Sequence, residues 1–132
     1  MIALDTNVLV RYLVEDGPAE QCRRAAELVD RAVDEGRDLF ISDVVACETV
    51  WVLESAYDVG RDDVASVLDR LLETRQIRFR HAALICRAVD SYESGTGDFA
   101  DYVTRELAHE QSCDEVATFD TELLEEKDFV AP

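Results

Sequence analysis

The 132-residue chain carries 30 acidic and 13 basic residues, a formal net charge of −17, and 48% of its residues are apolar. These values favour one folded domain over residues 1–132 and exclude an intrinsically disordered acidic chain. No apolar run is long enough to cross a bilayer, and the N-terminus lacks the basic region of a signal peptide. We therefore expect a cytoplasmic protein with no membrane contact.

The acidic excess predicts a solvated surface suited to a salt-rich, halophile-like cytoplasm, where ions screen the self-repulsion. Proteins that bind nucleic acids usually carry a basic face, and this chain has a single lysine, Lys127. Any contact with an RNA backbone must therefore come from individual arginines and bound metal. The four cysteines stand singly, without the spacing of a zinc site. Cys47 and Cys86 lie in apolar helical stretches and are interpreted as small core residues.

The first part of the chain alternates short apolar runs with amphipathic segments, and Gly and Pro mark the boundaries. In chain order the pattern predicts a strand over 2–4, a helix over 6–14, a break at 16–18, a helix ending near 35 before Gly36, a strand over 39–41, and a helix over 43–56 that Ser42 caps.

The same alternation continues to the end of the chain. It predicts a helix over 61–73, a strand over 77–79, a helix over 81–93, a glycine loop at 95–97, a helix over 98–111, a strand over 116–118, a short helix over 121–126 and an extended segment over 129–131. Strands that alternate with helices indicate an α/β fold with a parallel sheet covered on both faces. In such folds the reactive crevice lies beyond the carboxyl ends of the strands.

Two acids directly follow predicted strands. Asp5 comes after the first strand, and Asp120 comes after the strand at 116–118. Each also precedes a predicted helix, where Asp is a favoured N-cap, so each acid could be either a helix cap or a functional ligand. Because the carboxyl ends of parallel strands meet at one edge of a sheet, the repetition favours convergence of both side chains on one crevice.

Glu48 is the only charged residue between Val44 and Leu53. Its helical neighbours at spacings of three and four are Val44, Val45, Trp51 and Val52. We expect a carboxylate in this setting to be at least partly buried, which is costly unless a cation or donors compensate. A metal ligand is the favoured interpretation. The alternatives are an edge position that reaches solvent and a pair with an arginine.

Asp98 and Asp101 open the helix that follows the glycine loop. A structural interpretation is strong here, because Asp98 suits the N-cap and Asp101 lies in the first turn, where the helix dipole favours negative charge. Arg105 is also placed to pair with Asp101. A functional role for these two acids therefore depends on the others.

Several acids gathered at one sheet edge would repel one another without a cation between them. Hard divalent cations such as Mg²⁺ or Mn²⁺ prefer oxygen ligands and keep several waters. One bound ion can activate water, and a second can stabilise the leaving oxygen of a phosphodiester. The pattern therefore indicates hydrolysis by phosphoryl transfer.

Four segments, in this order, resemble the motifs of the PIN-domain nucleases, particularly the VapC-type toxins of toxin–antitoxin pairs. They are LDTNVLV at 4–10, SDVVACE at 42–48, DFADYV at 98–103 and VATFD at 116–120. Each motif alone is weak, whereas the ordered set is specific and spans essentially the whole chain. One difference is that residues 102–106 are bulkier and more polar than the usual small apolar run of the family.

The resemblance implies a three-layer α/β/α sandwich with a central, mostly parallel sheet. It also implies a homodimer and inhibition by an antitoxin protein encoded alongside. The implied catalytic and metal-binding quartet is Asp5, Glu48, Asp101 and Asp120. The implied accessory residues are Thr6, Asn7, Asp98 and Thr118.

We therefore expect an endoribonuclease that depends on Mg²⁺ or Mn²⁺ and leaves 5′-phosphate and 3′-hydroxyl ends. Asp5, Asp101 and Asp120 would hold the metal directly or through water, and Glu48 would ligate it or orient the attacking water. Arg11 and Arg105 are candidate phosphate contacts, with ordinary surface arginines as the favoured alternative.

Other interpretations fit the sequence less well. A receiver-like signalling domain would need a late lysine at a strand end, and Lys127 lies instead in an acidic stretch. A phosphatase with an Asp nucleophile would carry a second Asp where this chain has Asn7. The main alternative is a catalytically inactive PIN-fold module that binds RNA or protein, and the intact quartet argues against it.

Overall fold

The computed structural model describes all residues, 1–132. The chain divides into two compact units, Met1–Ala82 and Ala83–Pro132. No helix combines the length and the apolar character that crossing a membrane requires.

The first unit contains a three-stranded parallel sheet with four helices. Its elements are β1 (Ile2–Ala3), α1 (Thr6–Leu13), α2 (Ala19–Glu35), β2 (Leu39–Ile41), α3 (Asp43–Tyr57), α4 (Arg61–Glu73) and β3 (Ile77–Phe79). The strand order is β1-β2-β3, and Leu39 of the central strand lies opposite Ile2 on one side and Ile77 on the other. Both Leu39 and Ile41 are completely buried, as expected for a central parallel strand covered on both faces.

Local signals set the helix ends of this unit. The Ser42 hydroxyl accepts a hydrogen bond from the Val45 N–H at 3.2 Å and so caps α3 as predicted. Gly36 ends α2 with φ 65°, where its N–H bonds to the carbonyls of Ala32 and Val33. This left-handed conformation carries no penalty for glycine, which confirms Gly36 as the stop signal.

The second unit packs two helices with a two-stranded parallel sheet. Its elements are α5 (Ala82–Ser94), which begins at the unit boundary, α6 (Phe99–Glu110), β4 (Val116–Ala117), a single 3-10 turn (Leu123–Glu125) and β5 (Phe129–Val130). Val116 lies opposite Phe129. Tyr92 and Phe99 are buried and meet edge to face, with ring centroids 5.8 Å apart.

The predicted strands and helices are confirmed, with ends that shift by a residue or two, and the helix expected over 121–126 is only the 3-10 turn. The assignment of Cys86 to the core is wrong, because its position on α5 faces solvent. Cys47 is half-buried. Its burial, together with the nearby charge of Asp43, raises the thiol pKa to about 11, so this cysteine is protonated at neutral pH.

Candidate active site

Asp5 lies at the carboxyl end of β1, as the sequence predicts. The Leu4 N–H still bonds to the Phe40 carbonyl at 2.9 Å, so the sheet ladder reaches the residue before Asp5. Asp5 itself is exposed and is the N-cap of α1, with its Oδ1 accepting from the Thr6 N–H at 2.8 Å. Its Oδ2 makes no hydrogen bond within the protein and is available to a ligand.

Thr6 connects the first motif to the second. Its side chain is buried, and its hydroxyl donates to Oε2 of Glu48 at 3.3 Å, across 42 residues of sequence. Because Thr6 follows Asp5 directly, this bond brings Asp5 and Glu48 to neighbouring positions at the start of α1. Asn7, the next residue on the helix, is exposed.

Glu48 is more exposed than the sequence predicts. It lies on the exposed side of α3, where Val44 and Trp51 are 65% and 69% exposed. The expected burial among apolar neighbours is wrong because α3 packs through its opposite face, which carries Ala46, Thr49, Val50 and Leu53. The feature that distinguishes Glu48 from other exposed acids is therefore its hydrogen bond from Thr6, and burial plays no part.

Asp98 and Asp101 form a capping box at the start of α6. The Asp101 Oδ2 accepts from the Asp98 N–H at 3.1 Å. Burial raises the pKa of the Asp101 carboxyl above its usual value, and the hydrogen bond from Asp98 opposes that rise. The negative charges of Asp98 and Asp120 raise the same pKa further. The structure thus brings three acids of the second unit within electrostatic reach of one another.

Asp120 is exposed and held by a short network of turns. Its N–H donates to the Thr118 hydroxyl at 3.0 Å, and its Oδ1 accepts from the Glu122 N–H at 3.0 Å. The Thr118 N–H in turn bonds to the Val130 carbonyl at 2.9 Å. Thr118 therefore fixes the backbone of Asp120 relative to the edge of the small sheet.

Arg105 does not pair with Asp101, so that expectation is wrong. The side chain is 8% exposed. Its guanidinium donates to the Ser91 hydroxyl at 2.7 Å and the Lys127 carbonyl at 3.2 Å, and it lies 3.4 Å from Glu106. These interior acceptors take the place of Asp101. A buried guanidinium engaged in this way is not exposed to a phosphate, so we do not retain Arg105 as a substrate contact.

A hydrogen-bonded clamp that the sequence did not reveal holds the glycine loop in front of Asp98. The Tyr102 hydroxyl donates to Oε1 of Glu126 at 2.8 Å and accepts from the Gly97 N–H at 2.9 Å. The same Glu126 oxygen accepts from the Thr96 N–H at 3.1 Å. The one available signal was the bulky Tyr102 in a run that is usually small and apolar.

The chemistry of these donors suits a hard divalent cation. Carboxylate and hydroxyl oxygens are the ligands that Mg²⁺ and Mn²⁺ prefer. Burial is the main cause of the raised pKa of Asp101, and a cation would offset the smaller contribution from the charges of Asp98 and Asp120. As positioned, no group of three His, Cys, Asp or Glu side chains could hold a metal ion. The donor types therefore fit such a cation.

The sequence comparisons identify the family. The PIN domain model matches residues 2–130, and the chain therefore belongs to the PIN domain family and has its α/β fold. The chain is also similar to a VapC ribonuclease from Aquifex aeolicus (strain VF5), with 27% identity over 119 residues, which is 90% of this chain and 87% of the relative. All the acids described above lie within the matched range.

Proposed function

We propose that this protein is a metal-dependent endoribonuclease toxin of the VapC type. The observation that carries the proposal is the match to the PIN domain family over residues 2–130, a range that contains Asp5, Glu48, Asp101 and Asp120. Similarity to a VapC ribonuclease along 90% of the chain supports the same activity. The match over residues 2–130 also supports a single nuclease domain.

We assign the quartet Asp5, Glu48, Asp101 and Asp120 as the catalytic carboxylates. Asp5, Asp101 and Asp120 would hold Mg²⁺ or Mn²⁺, directly or through water, and divalent-metal use is a general property of PIN-domain nucleases. When bound, the ion lowers the pKa of water and offsets the charge that develops on a phosphodiester. Asp98, next to Asp101 in the capping box, supplies further negative charge.

Glu48 orients the water that attacks the phosphodiester. The Thr6 hydroxyl donates to Oε2 of Glu48 and leaves Oε1 to accept a proton from that water. Attack in line breaks the bond from phosphorus to the 3′-oxygen, which takes a proton from solvent, and the products are a 5′-phosphate and a 3′-hydroxyl. Thr118 and Asn7 act as supports, since Thr118 holds the backbone of Asp120 and Asn7 follows Thr6 on the exposed side of α1.

The proposal includes protein partners. We expect a homodimer in the cytoplasm and a co-encoded antitoxin that inhibits it. The exposed side chains of Val44 and Trp51 on α3 support an interface with another chain, because large apolar side chains grouped on a surface mark contact sites.

The test is cleavage of a mixed RNA pool with Mg²⁺, with Mn²⁺ and with EDTA, beside Asp5→Asn and a matched control, Asp69→Asn. Asp69 is an exposed residue of α4. Asn caps helices as well as Asp does, so D5N should fold normally and lose cleavage to the EDTA background, while D69N keeps full activity. Full activity of D5N at matched purity would contradict the assignment. A folded wild-type protein that binds Mn²⁺ and cleaves no RNA would favour the inactive binding module instead.

A further inference from the structure

Two acids of the second unit, Asp101 and Asp120, lie in different segments of the chain. Asp101 lies in the first turn of α6, and Asp120 follows β4. Burial is the main cause of the raised pKa of Asp101, and the charge of Asp120 adds to it, so the two carboxylates lie near each other. The capping box holds Asp101 and the turn at Thr118 holds Asp120, but these bonds are local. Other contacts must fix the two segments against each other.

Tyr102 and Glu126 supply such a contact. Tyr102, the residue after Asp101, is completely buried, and Glu126 follows the 3-10 turn at the end of the other segment. The Tyr102 hydroxyl donates to Oε1 of Glu126 at 2.8 Å. That oxygen also accepts from the Thr96 N–H at 3.1 Å, and the hydroxyl accepts from the Gly97 N–H at 2.9 Å. The clamp therefore binds residues on both sides of the capping box to the segment that follows β4.

Two further contacts hold the same segment. Leu123, in the 3-10 turn, is buried and packs so closely on Gly97 that a Cβ there would lie 2.7 Å from its Cδ2. Arg105, one turn after Tyr102 on α6, donates to the Lys127 carbonyl at 3.2 Å. Its guanidinium lies 5.3 Å from the centroid of the Tyr102 ring. The helix thus binds two successive residues of the segment, which leaves the segment little freedom to move away from the start of α6.

We propose that Tyr102 and Glu126 are positioning residues for the metal site, which set the separation of Asp101 and Asp120 and thereby the affinity for a divalent cation. Neither residue is a metal ligand, because both act through the two acids that they hold. Loss of a hydrogen-bonding partner behind a metal ligand typically weakens metal binding by about ten- to a hundredfold. This inference rests on the proposed function, which assigns Asp101 and Asp120 to the metal.

The experiment measures Mn²⁺ affinity by titration calorimetry, without RNA, in Y102F, E126A and E126Q. Y102F deletes the hydroxyl at the centre of the clamp and should weaken Mn²⁺ binding roughly tenfold, as should E126A. E126Q should bind Mn²⁺ nearly as well as the wild-type protein, because the glutamine carbonyl still accepts from Thr96 and Tyr102. Since Y102F and E126A break the same clamp, the double variant should bind Mn²⁺ little more weakly than E126A alone.

Ile85→Val is the control for a loss of stability alone. Ile85 is completely buried in the first half of α5, so I85V should lower the melting temperature and leave Mn²⁺ affinity unchanged. D101N measures the background binding of Mn²⁺ to the other acids. If Y102F melts at a lower temperature but keeps the wild-type Mn²⁺ affinity, as I85V should, Tyr102 has only a structural role and the inference is overturned. Equally weak binding in E126Q and E126A would show that Glu126 acts through its charge, which contradicts a positioning role.

Cleavage of the mixed RNA pool separates this inference from the proposed function. The Mn²⁺ concentration for half-maximal cleavage should rise roughly tenfold in Y102F, and saturating Mn²⁺ should restore most of the rate. A wild-type protein that binds Mn²⁺ and cleaves no RNA would refute the ribonuclease proposal, and the Mn²⁺ affinities would still decide the role of the clamp. A wild-type protein that binds Mn²⁺ no better than D101N would refute the metal site and this inference with it.

Discussion

Asp101, which we propose as a metal ligand, shows how a carboxylate can reduce the stability of its own fold. Burial is the main cause of its raised pKa, and the charges of Asp98 and Asp120 add to it. The folded protein therefore holds a proton on Asp101 more tightly than the unfolded chain, whose carboxyl has the ordinary value of 3.8. Native stability falls as the pH rises from that value through the raised one, and the penalty is complete above the raised value.

We predict that Asp101→Asn raises the melting temperature by a few degrees at pH 7 in EDTA. Asn is nearly isosteric and its amide oxygen can still accept from the Asp98 N–H, so the capping box is retained while the charge is removed. The gain should shrink as the pH falls toward 3.8, because protonation of the wild-type carboxyl removes its charge. Scanning calorimetry at several pH values measures both effects. A lower melting temperature for D101N at pH 7 would contradict this account.

The same variant separates stability from metal binding. Added Mn²⁺ should raise the melting temperature of the wild-type protein, because a ligand that binds only the native state stabilises it by mass action. D101N should gain much less from Mn²⁺ than the exposed control D69N, and it should not cleave RNA. An equal rise in melting temperature in both variants would show that Asp101 does not bind the metal.

At the scale of elements, the packing around the loop between α5 and α6 leaves no room for a side chain at Gly95. A Cβ at Gly95 would lie 2.0 Å from the Tyr102 hydroxyl, 2.6 Å from the Glu126 carboxylate and 2.8 Å from the Ser91 carbonyl. The loop therefore requires glycine because the Tyr102–Glu126 clamp approaches its backbone so closely. The clamp also bonds the N–H of Gly97, the residue before the N-cap Asp98, and so holds the chain that leads into α6 and Asp101.

We predict that Gly95→Ala destabilises the protein by about 1–3 kcal/mol, the range for overpacking a filled site. It should also lower cleavage, because the displaced clamp moves the start of α6. Gly60→Ala is the matched control, since a Cβ there meets nothing within 4 Å and its φ of −70° suits alanine. Urea denaturation and cleavage of the mixed RNA pool measure the two effects. Equal stability of the two variants would show that the loop can relax around the methyl group.

Most element boundaries could be predicted from the sequence because they depend on local signals. Ser42 caps α3, Gly36 ends α2, and short apolar runs mark the buried strands. The positions of Asp5 and Asp120 after strands could likewise be predicted. Such signals involve residues close together in the sequence.

The errors concern contacts between residues far apart in sequence. The solvent exposure of Glu48 depends on which face of α3 packs inward, and this helix is apolar nearly all round. Arg105 had a plausible partner one turn away, but Ser91 and the Lys127 carbonyl bind it instead. Helical spacing shows which side chains share a face, whereas their tertiary partners remain unspecified.

At the scale of the whole molecule, the net charge of −17 affects folding and RNA binding in opposite ways. Carboxylates spread over the surface repel one another in the native state, and salt screens this repulsion. Salt also weakens contacts between arginines and phosphates, since RNA binding releases counterions. The balance between these effects sets the salt range in which the protein is both folded and able to bind RNA.

We predict that the melting temperature rises by at least a few degrees between 0.1 M and 1 M KCl, where the screening length shrinks from about 10 Å to about 3 Å. The rise should be smaller near pH 5, where protonation removes part of the negative charge. Scanning calorimetry along one KCl series at the two pH values measures both effects. A melting temperature that does not change with KCl would show that the acids are spaced too widely to repel, and the acidic surface would then have no role in setting stability.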